Sequence, residues 1–144
     1  MNTFEEAYAG IVKARKAYHA AVDEAGKKAA MGVYKEATKN VKDLAGAEQR
    51  IWKAYEAARD NGNECLDIDW PIIDGEAEEL IACMRKHSIK GFTFSSGWSN
   101  AVETAWLFQK AGCKLAGLVE INTQYMELFS NEHEKTHGYF FELS

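Results

Sequence analysis

Between Gly91 and Ile121 the chain reads GFTFSSGWSNAVETAWLFQKAGCKLAGLVEI, and this stretch constrains the fold more than any other. Phe92 and Phe94 alternate with Thr93 and Ser95, the period-two pattern of a half-buried strand. The polar turn Ser95-Ser96-Gly97 breaks the run. Asn100 is placed to cap a helix through its side-chain oxygen, and Glu103 stands where it can return the bond. The spacing predicts a helix over 101–111 with Val102, Ala105, Trp106 and Phe108 on a wide apolar face. Gly112 suits the left-handed conformation that ends a helix. Leu115, Val119 and Ile121 then mark a second strand. Strand, helix, strand is the result, with no catalytic signature inside it.

Upstream, Thr3-Phe4-Glu5-Glu6 fits a capping box. Phe4, Tyr8, Ile11, Tyr18, Val22 and Ala25, with Arg15 in one seam place, follow at steps of four and three and predict a helix with a narrow apolar seam. Gly26-Lys27-Lys28 is read as its break. Ala30, Tyr34, Ala37, Val41, Leu44, Glu48, Ile51, Tyr55 and Ala58 keep the same rhythm and predict one long helix, with Gly32 and Gly46 as places for a bend, until Asn61-Gly62-Asn63 stops it. Two seams joined by a short break point to an antiparallel helical hairpin, with a coiled-coil dimer as the competing use of the same seams.

Downstream, CLDIDWPII over 65–73 reads as an edge strand or extended connector, because Pro71 cannot donate to a ladder. Asp74 is the expected cap of a helix over 76–87, whose core face is Ala77, Leu80, Ile81 and Met84. Residues 122–137 read as irregular or weakly helical, and Tyr139, Phe141 and Leu143 as a last strand. The expected fold class is therefore α+β: a helical hairpin over 1–62, then a small α/β layer over 63–144 with about three strands and two helices packed against it.

Charge is uneven along the 144 residues. Residues 1–62 hold 11 Lys/Arg and 9 Asp/Glu, whereas residues 63–144 hold 6 and 13. Glu64, Asp67, Asp69, Asp74, Glu76, Glu78 and Glu79 follow one another with no base among them. That excludes a basic nucleic-acid footprint in this half. Part of it is a solvated face with helix-start carboxylates; the sharper reading is a docking surface for a larger protein with a basic surface. Trp70 and Trp98, in polar or connecting surroundings, are the aromatic candidates for the same contact, while Trp52 and Trp106 are expected in the core. The opening MNTFEEAYAG has no signal-peptide character, and no apolar run approaches a membrane span. Three cysteines without tight spacing suit reduced thiols, so a cytoplasmic protein is expected.

One motif carries chemistry on its face. His133-Glu134-Lys135-Thr136-His137 matches HExxH, in which two histidines on one helix face hold zinc and the glutamate activates a bound water. Ser130, Asn131 and Gly138 are poor company for that helix, and only seven residues follow His137, so a further ligand has to come from upstream. Cys83 and His87, four apart on the preceding helix, are the candidates. Zinc is thus the one cofactor the sequence offers a place for, and no catalytic residue is assigned.

The run GFTFSSGWSNAVETAWLFQKAGCKLAGLVEINTQY, with HGYFFEL near the end, resembles an uncharacterised domain of small proteins from Gram-positive gut bacteria, their phages and mobile elements. The resemblance covers about the last third to half of the chain and brings no activity or catalytic residues with it. Small acidic mobile-element proteins of this kind resemble anti-CRISPR proteins in size and composition. What this implies is direct binding to a CRISPR effector, Cas9, whose channels are basic. Three readings are carried forward: an effector inhibitor, a zinc hydrolase using Glu134 as base, and an interaction module dimerised through its helices.

Overall fold

The computed structural model describes residues 3–97 and 99–143. Trp98 lies outside the described residues. The elements run α1 (Thr3–Ala20), α2 (Glu24–Thr38), α3 (Gly46–Asp60), β1 (Asp67–Ile68), α4 (Glu76–Lys86), β2 (Gly91–Phe94), α5 (Ala101–Lys110), β3 (Lys114–Met126) and β4 (His133–Glu142). The fold is α+β, helices first. It forms two compact units, Met1–Gln49 and Arg50–Ser144.

In the first unit α1 and α2 pack on each other, and a connector of three residues forces them antiparallel. Their contact is close at Gly10, where a Cβ would sit 2.4 Å from that of Ala37. The chain turns earlier than Gly26: Asp23 caps α2, its carboxylate accepting from the Gly26 N–H at 2.8 Å. Gly26 therefore lies in the first turn of α2, not in the break. The buried positions of α1 are Phe4, Ala7, Ile11 and Ala14. Phe4 and Ile11 are common to the expected seam, but Tyr8 and Arg15 give way to alanines, and Val22 is 97% exposed. Small side chains let helices approach, which outweighs the greater area of tyrosine.

The long helix expected over 30–58 is two helices. Thr38 returns its hydroxyl to the Tyr34 carbonyl at 2.9 Å, a bond that competes with helix propagation. The chain then turns over 39–43. It re-enters helix at Gly46 with φ +59°, a conformation that costs glycine little. The rhythm survives in α3, where Ile51, Tyr55 and Ala58 are buried together with Trp52.

The second unit is a four-stranded sheet in the order β1-β2-β4-β3. The expected edge piece supplies β1, parallel to β2. β4 is antiparallel to both its neighbours, so β2 and β3 run the same way with α5 crossing between them. This is a βαβ unit split by the last strand. Phe92 pairs with Phe141 and Phe94 with Tyr139, and the phenylalanines of that face meet Phe108 of α5. Phe108 lies 4.8 Å from Phe92, 5.8 Å from Phe94 and 5.5 Å from Phe141, centroid to centroid. Such spacings suit edge-to-face and tilted packing. All four rings are buried.

The ends of α3, α4 and α5 are set by one device. Cys113 N–H donates to the Phe108 carbonyl at 3.0 Å and Gly112 N–H to that of Gln109 at 3.1 Å, with Gly112 at φ +105°. The same pair of bonds closes α3 at Gly62 and α4 at Ser88. The helix starts are less regular. Asn100 makes no side-chain cap bond, and α4 is preceded by Gly75 in the left-handed region, so Asp74 is not its cap. On α5 the buried positions are Thr104 and Phe108, while Val102 is exposed and Trp106 is 56% exposed under the Lys110 ammonium. The apolar residues of this helix are therefore divided between core and surface.

The largest departure lies at 122–137. β3 continues to Met126 and β4 begins at His133, so the expected weak helix is the far half of a long hairpin.

Candidate functional site

The two histidines of the HExxH match stand on β4, a strand. Alternation puts them on one face, but four residues of strand separate them by about 13 Å, against the single turn that a helix gives. The His133 Nδ1 is 2.7 Å from the Thr123 carbonyl across the hairpin. Cys83 is buried within α4 and His87 is its buried C-terminal cap. Among the described residues no group of three or more His, Cys, Asp or Glu side chains is placed to hold a metal ion.

The three cysteines are reduced. Burial pushes the Cys65 thiol up from its ordinary value, with Glu64 adding to it, and burial does the same to Cys113. A nucleophilic thiol needs the opposite.

The acidic segment divides into exposed and engaged carboxylates. Glu64, Asp69, Asp74, Glu78 and Glu79 are exposed. Glu76 faces the Arg50 guanidinium at 3.6 Å. Asp67 belongs to the sheet: its two oxygens accept from Thr93 Oγ1 at 2.6 Å and Ser95 Oγ at 2.5 Å. Burial raises its pKa, the Ser95 and Thr93 hydrogen bonds work against that, and Asp69 adds to it. Ile73, amid the exposed carboxylates, is 68% exposed.

The hairpin tip was not foreseen as a site. Glu127 N–H donates to the Glu132 carbonyl at 2.8 Å, Ser130 N–H to that of Glu127 at 3.3 Å, and Glu132 N–H to Ser130 Oγ at 3.1 Å. These bonds order a tight loop whose apolar side chains face water. Leu128 is 87% exposed, Phe129 is fully exposed, and Tyr125 and Met126 beside them are also exposed. Phe129 sits at φ +61°. A bulky side chain in that region costs about 1–2 kcal/mol. Glu127 and Glu132 flank the pair. The signal available in the sequence was TQYMELF ahead of Ser130-Asn131, a turn dipeptide between two strand-like runs.

A third feature is a cleft of about 580 Å³ between α3 and the sheet face opposite the phenylalanine cluster. Ala54, Ala57 and Ile121 line it, and Arg50, Lys53, Asp67, Asp69 and Trp70 stand around it. Ala54, Ala57 and Ala58 of α3 are small, which leaves this space. One boundary is a built staple: the Asn63 side chain both donates to the Asn122 carbonyl and accepts from its N–H, at 2.9 Å each. Trp70 is half-buried, its ring under the Arg50 guanidinium at 5.3 Å. Its indole Nε1 is buried with no hydrogen-bond partner.

No helix among the described residues is long and apolar enough to cross a membrane. No curated protein and no solved structure matches the chain. A family model, described as a domain of unknown function (DUF7698), matches residues 50–143, which is the sheet-bearing unit from Arg50 through the last strand. The chain belongs to that family.

Proposed function

We propose that this protein works by association, docking its acidic segment and hairpin tip onto a larger protein with a basic surface, a CRISPR effector of the Cas9 type. The observation that carries the reading is the tip. An ordered loop holds Leu128 and Phe129 in water, one of them in an unfavourable backbone conformation. Each such side chain forgoes about 1.5–3 kcal/mol of burial, and neither the exposure nor the conformation helps the fold. Large exposed apolar groups flanked by charge are typical anchors of protein interfaces. The flanking carboxylates, with those of 64–79, favour a partner pocket rimmed by lysine and arginine, and they disfavour an anionic lipid surface.

Adding the purified chain in molar excess to guide-loaded Cas9 and target DNA tests the partner. The expected result is loss of DNA binding or cleavage, relieved when Asp74, Glu78 and Glu79 are all changed to Lys. Cleavage at its full rate in the presence of excess protein rejects Cas9.

A further inference from the structure

We propose that the cleft between α3 and the sheet binds a small zwitterion with an apolar body, an α-amino acid either free or within a dipeptide, its carboxylate toward Lys53 and Arg50 and its ammonium toward Asp69. The volume, about 580 Å³, lies within the range of small-molecule sites. The lining offers both signs of charge around an apolar floor. Ala54 and Ile121 supply the floor.

The charged groups around that floor are not all engaged elsewhere. Lys53 and Asp69 are exposed side chains of opposite sign on one cleft. Asp67, by contrast, is held by two hydroxyls, and the asparagines by one another. A ligand with a single charge would leave one of the free groups unanswered, whereas a zwitterion answers both.

Trp70 adds a separate observation. A buried indole N–H with no acceptor is a group the fold leaves unsatisfied. The nitrogen is closed off from solvent in this conformation. The Arg50 guanidinium over the ring is the group that an incoming carboxylate would draw toward itself. Arg50 also faces Glu76 at 3.6 Å, so an incoming carboxylate would share the guanidinium with Glu76 and meet Lys53 on the same cleft. The cleft shares Asp69 and Trp70 with the acidic segment, but Leu128 and Phe129 of the tip do not line it, so amino-acid binding and docking through the tip are read separately.

Titration calorimetry of the full chain tests it, with each free L-amino acid and with Gly-Xaa dipeptides as the two sources of the same chemistry, and N-acetyl amino-acid amides as uncharged controls. We expect at least one free amino acid or dipeptide to bind with a Kd below about 1 mM. Lys53→Met and Asp69→Asn should each weaken that ligand at least tenfold, and the matching amide should not bind. Both side chains are exposed, so the variants keep the fold. The proposal is overturned by absence of binding from both sets, by variants that bind like the parent, or by an amide that binds as well as the zwitterion.

Discussion

Phe108 and Phe129 are the same side chain in the same compact unit, and they meet opposite fates. Phe108 is wholly buried among Phe92, Phe94 and Phe141. Phe129 is fully exposed at φ +61° on a loop ordered by its own hydrogen bonds. The first gains transfer energy and ring packing together. The second gains neither and carries a backbone cost. Residues that stabilise the fold and residues kept in spite of it can thus be told apart by the sign of their effect on stability.

The comparison breaks most easily at its buried end. Phe108→Ala should destabilise the unit by about 3–5 kcal/mol, read as a lowered urea midpoint; a loss under 1 kcal/mol would mean that the four rings are not a packed core. Next is Gly10→Ala. On an open helix this substitution gains about 1 kcal/mol. Here the new methyl would meet the Ala37 Cβ at 2.4 Å, so overpacking should win and cost about 1–3 kcal/mol. Hydrogen exchange across α1 and α2 reads the loss directly, and a slower exchange would show that the hairpin has room.

Phe129→Gly should do the reverse and raise stability by about 1 kcal/mol, since glycine takes the left-handed region at little cost. The smallest effect is at Asp67. Its folded-state pKa is raised, chiefly by burial, so the folded chain binds the proton more tightly than the unfolded one. The contribution is therefore full below the unfolded value of about 3.9 and is lost as pH rises through the folded value. Asp67→Asn should remove that downward slope in a series of urea midpoints from pH 3 to pH 7. A slope identical to that of the parent would show that Asp67 is not its source.

Much of the second unit was legible because its signals are local. Alternation at Phe92 and Phe94, the extent of α5 and Gly112 as its end all act within one turn or one strand, and the structure places them where the spacing does. The face of α5 was misread, since Val102 and Trp106 are exposed and Thr104 is buried beside Phe108. The first unit was legible in kind but not in detail. The seam ran on through Thr38, where α2 ends and the chain turns over 39–43 without disturbing the heptad-like pattern around it. The far hairpin was misread because polar Asn122, Thr123 and Gln124 blur the alternation, and a strand's ladder partner lies many residues away.

The candidate sites divide the same way. Exposure of most of the acidic segment follows from charge, but nothing near Asp67 announces Thr93 and Ser95, which are 26 and 28 residues distant. The HExxH match shows the cost of reading spacing without element type: on a strand the same five residues place their histidines far apart.

The most direct measurement is a binding isotherm of guide-loaded Cas9 with the parent chain and with a Leu128→Ser/Phe129→Gly variant whose urea midpoint has been checked. The association account predicts that the parent binds and that the variant, at least as stable, binds ten or more times more weakly. Equal affinity would contradict the role of the tip, and a parent chain that does not bind would contradict Cas9 as the partner.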